Sequence, residues 1–160
     1  MAIMNYDGAI EQVNNPKKVY ESPVSTFVAR FVGNTTIIQG KVSILKGKTI
    51  VEVQGLGSFD VTASEQHGAI CDGMDIFMSI RPEKIEIDKK VRPEFMHHLQ
   101  GTVESMVYQG YATIYYVRVG NGMKIAVFRQ NEEHSPSQII DYDEQVHLHW
   151  HPESVVLLER

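Results

Sequence analysis

Ile80-Arg81-Pro82-Glu83-Lys84-Ile85 returns later in the chain as Trp150-His151-Pro152-Glu153-Ser154-Val155. Two upstream markers repeat in the same order. Gln39-Gly40-Lys41-Val42 returns as Gln100-Gly101-Thr102-Val103, and Thr49-Ile50-Val51-Glu52-Val53 has a counterpart in Thr113-Ile114-Tyr115-Tyr116-Val117. Self-similarity of this kind governs the fold assignment and is settled first. The copies are offset by 61 positions at the first marker (39 to 100) and by 70 at the last (80 to 150). Most of the difference arises after the middle marker, whose offset is 64 (49 to 113), where the second copy carries the polar stretch Arg129 to Asp143, which contains Ser135-Pro136.

Both copies read as strands. Ile37 to Leu45, Thr49 to Gln54, Ser58 to Ala63, Met74 to Ile80 and Lys84 to Ile87 are short, β-rich and separated by Gly or Lys-Gly turns. In the second copy Val103 to Tyr108, Thr113 to Val119, Lys124 to Phe128, Val146 to Trp150 and Ser154 to Leu158 follow suit, with Gly120-Asn121-Gly122 as a hairpin signal. Met96 to Leu99 is ambiguous, a short turn of helix being one reading. Pro82 and Pro93 mark breaks, because proline removes a ladder donor. Five or so strands per copy suggest a small closed barrel of the oligonucleotide/oligosaccharide-binding (OB) type, since closure removes exposed edges.

The first 34 residues differ. Tyr6-Asp7-Gly8-Ala9 is a turn between two short apolar stretches. Asn15-Pro16 opens a helix over Pro16 to Glu21, with Asn15 as cap and Pro16 at the first helical position. A second helix is expected over Val24 to Phe31, with Phe27, Val28, Phe31 and Val32 on one apolar face and Gly33 ending it. The expected organisation is mainly β: a junction over 1–34, a first OB-like module over 35–99 and a second over 100–160.

The chain has 160 residues, 42% hydrophobic and 22% charged, enough to bury a core. No stretch has the length of a bilayer span, and no signal peptide is visible. The single cysteine, Cys71, reads as a buried small hydrophobe in a reducing compartment. The net charge of −5 and the interleaving of Lys84, Lys89, Lys90 and Arg92 with Glu83, Glu86 and Asp88 argue against a nucleic-acid partner, which calls for a basic face.

The chemistry-bearing motifs are few. No GxxxxGK[ST] phosphate loop, GxSxG elbow or CxxC pair occurs. His147, His149 and His151 alternate along one strand. With Val146, Leu148 and Trp150 facing the core, the three imidazoles are expected to face outward. At that spacing they are weak candidates for zinc or nickel, with a solvated strand face as the simpler reading. Arg81 with Glu83, and His151 with Glu153, are the ligand or interface candidates. An arginine before a proline break holds a carboxylate or a backbone carbonyl at a boundary. Tyr108, Tyr111, Tyr115 and Tyr116 could stack on a ligand, but alternation between core and surface accounts for them more simply.

The ordered motifs resemble one family. Gly8-Ala9-Ile10-Glu11-Gln12-Val13, then Asn15-Pro16-Lys17-Lys18-Val19-Tyr20-Glu21-Ser22-Pro23, then Phe27-Val28-Ala29-Arg30-Phe31-Val32-Gly33-Asn34, are similar to the junction that follows the nucleotide-binding domain in ABC importer ATP-binding subunits. Arg81-Pro82-Glu83-Lys84-Ile85 is similar to the motif of their C-terminal transport-associated OB domain. Gly101-Thr102-Val103, Tyr108-Gln109-Gly110 and Tyr116-Val117-Arg118-Val119 look most like the spermidine/putrescine type. The resemblance implies a regulatory and dimerisation domain, not catalytic by itself. ATP and Mg²⁺ would belong to an ATPase domain absent from this chain. The implied partners are that domain, membrane permease subunits and a second copy through the barrels, at the cytoplasmic side of the cell membrane. The alternative is a stand-alone OB module for a small oxyanion or polyamine.

Overall fold

The computed structural model describes residues 1–131 and 139–160. Part of the polar stretch Arg129 to Asp143, including Ser135-Pro136, lies outside the described residues.

The chain opens with a hairpin of β1 (Ala2–Met4) and β2 (Ile10–Val13). Its turn is set by Asn5, whose Oδ1 accepts from the Asp7 and Ala9 amides, and by Gly8 at φ +82°. Helices α1 (Pro16–Glu21) and α2 (Thr26–Phe31) follow. Asn15 Oδ1 accepts from the Lys18 amide at 2.9 Å and Ser25 Oγ from the Val28 amide at 3.2 Å, each satisfying a free donor of the first turn. Helices of six residues do not hold in isolation, so contacts beyond them carry these two. Ile3, Val19 and Val28 form a small core of their own, and Ala29 packs on Val156 and Leu158 of the last strand. The expected apolar face of α2 is only partly used. Val28 is fully buried, whereas Phe31 is 62% exposed, because so short a helix meets its support through one turn.

The remaining strands are β3 (Thr36–Leu45), β4 (Lys48–Val53), β5 (Gly57–Asp60), β6 (Glu65–Gln66), β7 (Asp75–Ile80), β8 (Glu86–Asp88), β9 (His97–Tyr108), β10 (Ala112–Val119), β11 (Lys124–Gln130), β12 (Gln145–Trp150) and β13 (Val155–Leu158). They form two sheets of matching order, β5-β4-β3-β7-β13-β6 and β11-β10-β9-β12-β8. Met96 to Leu99 is not helical: β9 begins at His97 and pairs with β12 from there. β11 runs two residues beyond the expected Phe128, to Gln130.

The repeated Pro-Glu phrase is where the chain changes sheet. Pro82–Lys84 and Pro152–Ser154 each form one 3₁₀ turn. After the first, β8 leaves the sheet of β7 and pairs with β12, His147 opposite Asp88 and His149 opposite Glu86. After the second, β13 leaves the sheet of β12 and pairs with β7, Val155 opposite Ile80 and Leu158 opposite Phe77. Each repeat therefore completes the other's sheet. One core results, running from Ile38, Val51 and Phe59 through Val103 and Val117 to Trp150 and Leu157.

The repeated glycine has a matching reason. β3 and β9 each pair with one neighbour along their first half and another along their second, and Gly40 and Gly101 sit at the change. A Cβ at Gly40 would lie 2.7 Å from the Glu52 carbonyl oxygen, and one at Gly101 2.7 Å from that of Arg118, each also against a valine of the neighbouring strand. Backbone cannot yield as a side-chain tip can. Gly101→Ala should cost about 1–3 kcal/mol, read by chemical denaturation, and an unchanged midpoint would remove this account of the repeat.

Candidate functional site

Arg81, just before the first 3₁₀ turn, is only 7% exposed although it carries a guanidinium. Nη1 donates to the carbonyl oxygens of Ala29 at 2.9 Å, Gly33 at 3.1 Å and Asn34 at 3.1 Å, and Nη2 donates to that of Tyr20 at 3.0 Å. These are carbonyls at and beyond the C-terminal ends of α1 and α2, which have no partner within a helix. One side chain thus caps both helices and ties the junction to the sheet-switching corner. The ring of Tyr20 lies 4.2 Å from the guanidinium carbon, and its hydroxyl donates to Glu83 Oε1 at 2.7 Å. Burial pulls the pKa of Arg81 down, but a guanidinium stays charged. Burial and the bond to Glu83 raise that of Tyr20.

The other corner has no such lock. His151 is exposed and stacks on Phe95 at 4.4 Å, and Glu153 is exposed. Arg81, His151 and Glu153 nevertheless line one groove of about 480 Å³, together with Lys84, Glu65 and Ser79. Glu83 faces away, into two larger grooves of about 780 and 1010 Å³. The 480 Å³ groove offers little to an anion, because the guanidinium is turned to carbonyls and Glu21, Glu65 and Glu153 share the walls with Lys84. At its edge Ser22 Oγ donates to Glu65 Oε1 and lies 3.0 Å from His67 Nε2. The hydroxyl proton is committed to the carboxylate, so this trio fastens α1 to β6.

The three alternating histidines do not converge. His147 is half-buried, His151 is exposed, and His149 is fully buried, contrary to the expected outward row. Its Nε2 accepts from the Arg92 amide at 2.9 Å, so one ring nitrogen is already engaged. Among the described residues, no group of three His, Cys, Asp or Glu is placed to hold a metal ion. The reason lies in the connection between β8 and β9, which folds back over the outer face of β12. Phe95, apolar within a charged connection, is the one sequence signal that could have announced it. Cys71 is also corrected: it is exposed, in the turn before β7. Tyr115 is buried, whereas Tyr108 and Tyr111 are exposed, so the tyrosines divide between core and surface.

A family model described as a TOBE domain matches residues 78–158, the span holding both Pro-Glu corners. The chain belongs to the TOBE domain family. Its junction and both repeats are shared with longer relatives. The spermidine/putrescine import ATP-binding protein PotA of Thermotoga maritima is 31% identical over 163 residues, covering 99% of this chain and 43% of that protein. Its namesake in Thermobifida fusca is 34% identical over 158 residues, covering 99% of this chain and 40% of that protein. The chain thus spans about two fifths of the length of the curated relatives it matches. Among solved structures, a cytoplasmic molybdate-binding protein, ModG, has the same fold with a TM-score of 0.61 and 13% identity, over 76% of this chain and 94% of that one. The TOBE domain is therefore mainly β and OB-like. Among its described residues no helix is long and apolar enough to cross a membrane.

Proposed function

We propose that this TOBE domain is the regulatory and dimerisation part of an ABC importer ATP-binding subunit of the polyamine type, and is not catalytic by itself. The observation that carries the reading is the extent of likeness to the PotA relatives: it covers 99% of this chain, junction included, and not the barrel alone. The chain offers no phosphate loop, so ATP and Mg²⁺ would bind in a nucleotide-binding domain outside it. The permease partners, the peripheral position at the cytoplasmic membrane face and the polyamine cargo follow from the same reading.

In this role the division at residues 34 and 99 separates a connecting segment from two repeats that work as one interlocked body. Arg81 supports it, since a guanidinium gripping both junction helices passes force from a neighbouring domain to the sheet-switching corner without slack. A small displacement at such a corner biases an attached two-state motor only through contacts that differ between its states. The expected result is self-association of the chain, read by sedimentation across concentration. A monomer persisting to millimolar protein would count against the dimerisation role.

The fold shared with a molybdate-binding protein supports a second reading, a stand-alone small-ligand module. The carboxylate-rich walls of the groove between the corners suit a polyamine better than an oxyanion. Calorimetric titration with spermidine and with molybdate separates the two readings, and submillimolar binding of either by this chain alone would favour the module.

A further inference from the structure

From Leu148 to Trp150, β12 is buried on both faces. Val146, Leu148 and Trp150 enter the core, and on the other face His149 is sealed beneath the 89–96 connection. The seal has three parts. The Arg92 amide donates to His149 Nε2 at 2.9 Å, the Phe95 ring lies 5.4 Å from the imidazole, and the Arg92 guanidinium sits 4.8 Å over that same Phe95 ring. Accepting at Nε2 requires the neutral ring with its proton on Nδ1. Asp88 Oδ2 is 3.7 Å from Nδ1, near enough to act on its charge but beyond hydrogen-bond distance.

We propose that His149 is a pH-sensitive latch, which when neutral holds the 89–96 connection down on the sheet and when protonated releases it. An imidazolium has no acceptor left. Its new Nε2 proton would face the Arg92 amide proton, and two donors would meet in a site closed to water. The segment set free leads directly out of β8, a three-residue edge strand that pairs in its sheet with β12 alone among the described residues and is lent by the first repeat to the second. The latch therefore controls how firmly one half of the strand exchange is held.

The charged surroundings of the ring come from four elements. β8 supplies Glu86 and Asp88, β9 supplies His98, β12 itself supplies His147, and the connection supplies Arg92 and Glu94. His98 and His147 are near, with ring centroids 6.2 and 6.4 Å from that of His149. Arg92 is itself shared among Glu94 at 2.7 Å, Asp88 at 3.5 Å and Glu86 at 3.8 Å. Burial opposes charging of His149 most, Asp88 favours it, and His98, His147 and Arg92 oppose it, so its pKa lies below the ordinary 6.5. The latch is closed at neutral pH and opens as the solution becomes acidic.

The test is a histidine-resolved NMR titration of the chain, with the exchange protection of the Arg92 amide, corrected for intrinsic rate, followed on the same samples. The expected result is that the two change together. Arg92 protection should fall by up to about tenfold for each pH unit between about pH 6.5 and the lower His149 midpoint and level off below it, while amides of β3 and β7 hold. In His149→Gln, whose side-chain oxygen can replace Nε2 as acceptor but does not titrate, the Arg92 transition should vanish. His147→Gln should retain it. Arg92 protection that does not follow the His149 titration overturns the latch, and so does a transition that survives in His149→Gln. The wild-type co-titration decides the matter even if that variant does not fold.

Discussion

Arg81→Ala will destabilise the protein by roughly 3 kcal/mol or more, and the loss will fall first on the junction. The substitution removes four charge-assisted hydrogen bonds and leaves the carbonyls of Tyr20, Ala29, Gly33 and Asn34 without their donor in a site that excludes most water. Hydrogen bonds to a charged group contribute about 1.5–3 kcal/mol each when lost singly, and four sharing one side chain do not add in full. The apolar cluster left to hold the junction is small, centred on Ile3, Val19 and Val28. Amides of α1 and α2 should therefore exchange at denaturant concentrations where β7 and β9 remain protected. Arg81→Lys restores the charge but not the planar fork, and should recover less than half of the loss. If Arg81→Ala unfolds within about 1 kcal/mol of the parent, the carbonyl lock is not what fastens the junction.

Trp150→Ala will cost about 3–5 kcal/mol, and here both interlocked sheets will unfold together. Trp150 is the largest fully buried side chain and stands where the repeats meet: its ring centroid lies 5.5 Å from that of Phe59 and 5.6 Å from that of His97. Phe59 comes from β5 of the first repeat, so a void at Trp150 loosens both halves. Trp150→Phe should be far milder, at about 1–2 kcal/mol, because it keeps most of the aromatic contact. It also removes an indole N–H that has no hydrogen-bond partner among the described residues. A denaturation curve for Trp150→Ala with two separated transitions would show that the repeats do not share one core.

The two buried histidines set the acid side of stability in the same direction. Burial holds the pKa of His97 and of His149 below the ordinary 6.5. The unfolded chain thus binds protons more readily than the folded one in that window. Their contribution is complete above about pH 6.5 and is lost as pH falls through the lower folded-state values.

The strands, the hairpin turn at Gly122 and the cap at Asn15 were legible because each is a local statement. Alternation, a left-handed turn position and a donor awaiting an acceptor are settled within a few residues. The two Pro-Glu phrases were legible as a repeat, and Arg81 as a residue that holds either a carboxylate or a backbone carbonyl at a boundary. Which carbonyls it grips was not legible, since they lie about fifty residues upstream in the chain. The same limit explains the histidines: alternation along β12 correctly placed Val146, Leu148 and Trp150 inside, but said nothing of a connection returning over the opposite face.

By itself, then, the sequence determined a mainly β chain, its repeat, its junction and the family resemblance, because periodicity and motif order are local and additive. Only the tertiary structure decided that the repeats exchange their last strands, that Arg81 closes both junction helices and that His149 is sealed. Those outcomes depend on which of several nearly equivalent strand edges pair, and on what covers a face from far along the chain. Pairing energies between strands of like composition differ too little for sequence pattern to choose among them. The choice is made by the shared core that only one arrangement can close.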